Sequence, residues 1–476
     1  MSDKKLFIKN NIFVFSNKII SKSITFGIIV FLTRTMDKSD YGDLTILIMF
    51  SMIFSVIQDF GTQFLVVRET AANKANGKNI LANTILIKLL TGFLSFSAFV
   101  SLIMLLGYKD KIVNLSYIFA IAMIFQSLLL STVKFFEGKE KMNISSILVI
   151  SERVFIAVGI FSFSALIDKT ESYGLAYLIS NLVVFLISFS IIFSKREFLN
   201  SVSLKFVKSI LSASSYFLIF TVFSVIYYRV DIILISKFLG GVEVATYRAG
   251  YQLIETIYFI PMNAAVAFLP FFSKLFVNDR NELFNVYSKL SRQFLFFSIF
   301  LAIIFYFKSE WILNLLYSKY SNASGILSIL ALAVPFVFMN SINGNLLIAI
   351  KKEKNITFSM VLSTVIKLIG LFFFLEKYGL IAAASISLFS EFVAFIIQFI
   401  SVRKNDFKIN FNMKHYFDFA LLIIFFCFTL FLPEYFFNNS HASYLLIFNI
   451  VDMTSVVLCF PHLQHVYTPV SEWKPP

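Results

Sequence analysis

Charge is scarce in this chain. Asp, Glu, Lys and Arg make up 14% of its 476 residues, where a soluble domain carries about 25%. Hydrophobic residues make up 58%. That balance excludes an ordinary water-solvated surface and suits a lipid solvent, whose facing positions take no charge. Cysteine is nearly absent. Cys427 and Cys459 both lie in apolar stretches, which argues against a disulfide scaffold and against a metal-ligand spacing. The four histidines (His415, His441, His462, His465) all fall near the C-terminal end, so the main body has no His/Cys metal cluster. There is no G-x-x-x-x-G-K-[ST] phosphate loop, which disfavours transport driven directly by a nucleotide. A cleavable signal pattern is not expected. The first apolar span begins near Asn11 and contains Lys18 and Lys22, where a signal peptide needs an uninterrupted apolar core.

What is present is a series of apolar stretches, each close to the roughly 20 residues that cross hydrocarbon as a helix. They lie at 12–33, 43–64, 80–106, 114–134, 143–166, 173–194, 214–237, 246–272, 293–307, 325–350, 356–375, 379–402, 416–433 and 443–460. The stretch at 293–307 is short and is expected to start earlier, taking in Arg292. The pattern predicts an all-α polytopic membrane protein of about fourteen spans.

The basic residues alternate between the loops. Loops on the side of the N-terminus hold 25 Lys and Arg, and loops on the opposite side hold 9. The other 7 of the 41 fall inside spans. Cytoplasmic loops carry the excess of Lys and Arg, so both termini are expected in the cytoplasm. The net charge of +14 follows from this loop bias and does not point to nucleic acid. The longest loop opposite the N-terminus runs from Lys308 to Ser324. Its Trp311, Tyr317 and Tyr320 read as an interfacial belt.

An internal match divides the chain. Arg34 to Asp40 after span one and Lys237 to Glu243 after span seven share a base-to-acid spacing of six, at an offset of 203. At nearly that offset Lys88 falls beside Arg292. Two six-span halves with the same orientation would be parallel repeats about the membrane normal. The expected organisation is an N-terminal lobe at 1–194, a cytoplasmic linker at 195–212 and a C-terminal lobe at 213–402. Two extra spans follow at 403–460, then a short tail at 461–476. The tail differs in composition, holding four of the eight prolines.

Several stretches resemble a known family. Leu32-Thr-Arg34-Thr-Met-Asp-Lys-Ser-Asp40-Tyr41-Gly42 resembles the "L-x-R-x-L-x-x-x-[DE]-[YF]-G" turn of bacterial polysaccharide flippases. Asp59-Phe-Gly61 with Arg68-Glu69 resembles the end of their second helix. Arg229-Val-Asp231 through Gly240, Glu243 and Tyr247-Arg-Ala-Gly-Tyr251 resembles their seventh helix and its turn into the eighth. Pro261 and Phe268-Leu-Pro270 resemble the prolines of the eighth. The resemblance covers most of residues 10–400 and is to the O-antigen and capsule repeat-unit flippases. It implies two six-helix lobes around a cavity that opens alternately to each side. It also implies movement of an undecaprenyl-pyrophosphate-linked oligosaccharide across the bacterial inner membrane. Expected partners are that lipid-linked oligosaccharide and membrane lipids, with the polysaccharide polymerase and chain-length machinery downstream. No cofactor is expected; a proton or sodium gradient is the candidate driving force.

Ionisable groups at bilayer depth face a protein interior or a cavity. The basic set is Lys18, Lys22, Lys88, Arg153, Arg229, Arg248 and Lys367, and the acidic set is Asp59, Glu152, Asp231, Glu255 and Glu391. The excess of bases suits a substrate bearing pyrophosphate, which arginine grips with a fork and lysine meets as a point charge. Candidate substrate contacts are Lys22, Lys88, Arg153, Arg229, Arg248 and Lys367, with Arg229 foremost. Lys18 and Lys22 share a helical face, although snorkelling to the inner surface also explains Lys18. Candidate ion-coupling carboxylates are Asp59, Glu152, Asp231 and Glu255. Glu152 and Arg153 are neighbours, so each is expected to pair with another helix. A structural ion pair between Lys367 and Glu391 competes with a transport role for both. Pro261 is expected to kink span eight.

Two other functions compete. A drug or metabolite exporter of the same superfamily would have a more apolar or acidic cavity. A polytopic polymerase or glycosyltransferase would display a long outer loop or a catalytic acid pair, and neither stands out. The chain is therefore not expected to be an enzyme.

Overall fold

The computed structural model describes residues 3–73, 76–193, 198, 203–407 and 409. The expected spans at 416–433 and 443–460 and the tail at 461–476 lie outside the described residues. Fourteen α-helices and one short 3-10 turn make up what is described. They are α1 (Asp3–Thr35), α2 (Lys38–Asp59), α3 (Thr62–Ala72), α4 (Gly77–Leu105), α5 (Asp110–Gly138), α6 (Met142–Phe163), α7 (Lys169–Ile192) and α8 (Leu204–Phe238). After them come α9 (Gly241–Asn278), α10 (Arg280–Phe307), α11 (Ser309–Leu316), the 3-10 turn (Ser318–Ala323), α12 (Ser324–Ala331), α13 (Val334–Ala349) and α14 (Glu353–Arg403). Eight of these helices are long and apolar enough to cross a membrane, or nine if α12 and α13 form one bent span with the turn before them. The protein is an all-α, multi-pass membrane protein. Its outer surface agrees: Leu90, Phe93 and Leu94 of α4 are 58%, 69% and 67% exposed, a stripe that lipid solvates and water would not.

Helix α14 has 51 residues. At 1.5 Å per residue it would be about 77 Å long, more than twice a hydrocarbon core. It is therefore two crossings, divided at Gly379, whose φ of 60° and ψ of −145° suit a residue without Cβ. The two arms match the spans expected at 356–375 and 379–402. Helix α10 begins at Arg280 and includes Arg292, which lengthens the short ninth stretch as the sequence suggests.

Three expectations change. The second stretch, read as continuous over 43–64, breaks after Asp59. Phe60 and Gly61 both have positive φ (50° and 72°), and the Thr62 hydroxyl donates to the Asp59 carbonyl at 2.7 Å, tying α3 to the end of α2. The tenth stretch, 325–350, bends by 42° between α12 and α13, where Pro335 lies in the first turn and lacks the N–H a continuous helix would need. The interfacial belt is the third. Trp311 is 39% exposed, but Tyr317 and Tyr320 are fully buried within the protein. Pro261 and Pro270 both lie inside the single helix α9, with no break between its ends. Helix α8 begins at Leu204, inside the stretch read as linker.

Packing follows chain order. Within the first seven helices the densest contacts are α5 on α7, α6 on α7, α4 on α5 and α1 on α6. Later, α9 packs on α13, α13 on α14, α8 on α14 and α10 on α13. The two sets meet chiefly through α2, which lies against both α8 and α9.

Candidate functional site

Charged side chains from four helices converge where the two sets meet. On α9, Arg248, Gln252 and Glu255 recur at i, i+4 and i+7 and so share one face. Arg248 Nη1 lies 2.8 Å from Glu255 Oε2, and its Nη2 donates to Gln252 Oε1. From α8, Arg229 Nη2 lies 2.7 Å from the other Glu255 oxygen. One carboxylate is thus shared by two guanidiniums. From α1, Lys22 lies within electrostatic reach of Glu255, Arg153, Arg229 and Arg248. Arg153 comes from α6 and pairs with Glu152 at 3.4 Å.

The cluster holds four cations and two carboxylates. At an effective dielectric near 20, a pair of unit charges 4 Å apart interacts by about 4 kcal/mol. Two unmatched positive charges in a partly buried place therefore favour an anion strongly. The side chains are also reachable: Arg153 is 28% exposed and Arg229 15%.

Two other expected contacts lie elsewhere. Lys88 of α4 is fully buried and pairs with Asp59 at the end of α2 at 2.8 Å, while its ammonium also donates to the Ser127 carbonyl of α5 at 2.9 Å. Gln58 beside it donates to the Lys88 carbonyl, so these contacts tie α2, α4 and α5 together. Lys367 of α14 pairs with Asp231 of α8 at 3.2 Å and donates to the Tyr227 carbonyl. The Tyr247 hydroxyl donates to the same Asp231 oxygen at 2.9 Å. Each of these pairs joins helices within one set.

Two pairings differ from the sequence reading. Arg153 takes Glu152, its chain neighbour, as its ion-pair partner at 3.4 Å, because flexible side chains on adjacent residues can curl together. Lys367 takes Asp231 as its ion-pair partner, and Glu391 instead accepts from the Asn340 amide at 3.2 Å. Glu391 and Lys367 do border one small cavity with Tyr227, Tyr228, Tyr251 and Tyr258. It has room for about one water and none for a sugar. Arg248, a candidate substrate contact, is 8% exposed. Lys18 is exposed and donates to Asn263 of α9 at 2.8 Å. Of the candidate coupling carboxylates, Asp59, Asp231 and Glu255 each have a Lys or Arg nitrogen within 3.2 Å, and Glu152 has one at 3.4 Å. Gln252 was not singled out from the sequence, although its place between Arg248 and Glu255 on one face was legible.

Comparisons with known proteins fit this picture. The family model described as "Polysaccharide biosynthesis protein" matches residues 7–276, more than half of the chain, and the MatE model matches residues 217–373. A search of curated proteins finds no match. Among solved structures the chain is similar to "Lipid II flippase MurJ, inward closed conformation", with 18% identity, 96% of this chain and 99% of that one covered, and a TM-score of 0.70. It is similar to an inward-facing multidrug resistance MATE family transporter of the MOP superfamily, with 14% identity, 81% and 94% covered, and a TM-score of 0.67. A MOP superfamily transporter from Pyrococcus furiosus, whose description notes a binding pocket of reverse polarity, gives 13% identity, 83% and 95% covered, and a TM-score of 0.56. At such identities the likeness is one of fold.

Proposed function

The chain belongs to the polysaccharide biosynthesis protein family, and from that premise we propose that it is a transporter of the MOP superfamily that flips a lipid-linked oligosaccharide. The substrate in this reading is an undecaprenyl-pyrophosphate-linked repeat unit for O-antigen or capsule. It moves from the inner to the outer leaflet of the bacterial inner membrane by alternating access, and both termini are cytoplasmic. The observation that carries the reading is that Arg229 of α8 and Arg248 of α9 share the Glu255 carboxylate, with Lys22 of α1 in electrostatic reach of all three and of Arg153 of α6. Guanidiniums suit a pyrophosphate because their forked donors match its oxygens. The convergence also supports a substrate that both sets of helices touch, as alternating access requires.

A drug or metabolite exporter of the same superfamily is the rival. The positive excess of the cluster favours the anionic lipid. The deciding experiment is reconstitution into vesicles carrying a fluorescent undecaprenyl-pyrophosphate saccharide and, separately, cationic drugs. Movement of the glycolipid and not of the drugs is expected, and the converse result would reject the flippase. The same vesicles, with proton or sodium gradients imposed, test the driving force.

A further inference from the structure

We propose that Arg34, Lys38, Lys237 and Lys319 form a latch that holds the two sets of helices together on the face opposite the N-terminus. The loops of that face carry only nine Lys and Arg. Four of these nine reach across from one set of helices to the other, which gives a structural reason for their presence on the side poor in bases.

The contacts are reciprocal. Arg34, at the end of α1, donates from Nε to the Leu316 carbonyl at 3.1 Å and also donates to the Leu315 carbonyl. Those are the last residues of α11. In return Lys319, from the turn after α11, donates to the Met36 carbonyl at 2.7 Å, just past the end of α1. Lys237, near the end of α8, donates to the Leu106 carbonyl beyond α4 and lies 3.9 Å from the centre of the Tyr108 ring. Lys38 donates to the Asn322 side chain at 3.3 Å and stands over the Tyr320 ring. The last carbonyls of a helix lack partners within it and carry partial negative charge, so a cation there satisfies a hydrogen bond and a dipole together. Three helix ends are capped here by side chains from the opposite set.

The backbones are close as well. A Cβ built on Gly42, near the start of α2, would lie 1.9 Å from the carbonyl oxygen of Gly241, the first residue of α9. Only glycine at position 42 lets these helix starts meet. Any opening of this face must release all four bases and separate this contact, so the latch sets the population of the closed state.

The inference rests on the reading of the chain as an alternating-access carrier, but its test reads conformation and not transport. In the full chain, Cys427 and Cys459 are replaced by Ser, and spin labels are attached at Glu171→Cys and Glu310→Cys, two exposed positions of α7 and α11. Distances are measured in lipid nanodiscs. The parent should give mainly one short separation. Arg34→Gln with Lys237→Gln and Lys319→Gln should raise the longer-distance population roughly fivefold or more. Gly42→Ala should do the same with every charge kept. Lys109→Gln with Lys377→Gln, on the same face but without a described contact to the other set, should leave the distribution as it was. Unchanged distances in both the triple variant and Gly42→Ala would overturn the latch, as would an equal shift in the control. If the triple variant does not fold, Arg34→Gln and Gly42→Ala decide singly. A shift without glycolipid transport would keep the latch and reject the proposed substrate; transport without a shift would do the reverse.

Discussion

Arg229 and Arg248 come from different helices and meet on the two oxygens of Glu255, at 2.7 and 2.8 Å. That arrangement holds two cations side by side that would otherwise repel each other. It leaves them short of negative charge, because Lys22 and Arg153 act on the same region. A dianionic headgroup could take up the excess without displacing Glu255, so the carboxylate serves as a fixed spacer that positions the guanidiniums.

Arg229→Ala is expected to abolish surface polysaccharide while the amount of protein in the membrane stays normal. Arg229→Lys should restore part of it, since a point charge keeps the attraction and loses the fork. The measurements are gel analysis of surface polysaccharide and immunoblotting of membranes. Normal polysaccharide in the alanine variant would remove Arg229 from the mechanism.

Lys88→Met should act on stability. It leaves Asp59 buried without its ion-pair partner, and breaking a buried pair costs about 3–5 kcal/mol. Thermal unfolding in detergent should show a clear loss, and adding Asp59→Asn should recover much of it. A Lys88→Met protein of unchanged stability that fails only in transport would place Lys88 among the substrate contacts.

The partner of Lys367 can be measured. A double-mutant cycle between Lys367→Met and Asp231→Asn should give a coupling above about 1 kcal/mol. The cycle between Lys367→Met and Glu391→Gln should give a smaller value. The opposite ranking would restore the pairing that the sequence suggested.

Asp168, at the start of α7 and outside the spans, gives a pH dependence. Burial pushes its carboxyl up, but the Thr170 amide and hydroxyl and the Lys111 ammonium outweigh that and hold it below the usual carboxylate range. A depressed carboxylate contributes stability above its unfolded value, near 4, and loses it as pH falls through the lower folded value. Asp168→Ala, which also removes a helix cap, should cost about 1 kcal/mol at neutral pH. The difference between variant and parent, followed by thermal unfolding, should shrink below pH 4. A difference that stayed constant with pH would assign the effect to helix propensity alone.

Much of the fold was legible because a lipid solvent imposes a coarse rule on sequence. Apolar stretches of about the right length must be helices. The rule does not see helix breaks. The stop after Asp59 depends on two residues with positive φ and a hydroxyl cap, and nothing in the hydropathy of Phe60 marks it. Tyr317 and Tyr320 read as interfacial anchors only if the stretch from Lys308 to Ser324 is a loop at the membrane surface. In the folded protein that stretch is a helix and a turn, and Tyr320 packs against Tyr41 of α2.

The sequence by itself determined the solvent, the approximate crossings, the biased distribution of bases, and which charges had to lie inside the spans. The tertiary structure alone decided which of those charges meet. Chain spacing fixes the face a residue occupies on its own helix, as with Arg248, Gln252 and Glu255. It does not fix how that helix is rotated against its neighbours. One residue turns a side chain by about 100°, while ion pairs form only within about 4 Å. That is why Lys88 and Lys367 are held in buried pairs, while Arg229 and Arg248 share Glu255 within electrostatic reach of Lys22, which Arg153 also reaches, although all six look alike as isolated bases in apolar runs.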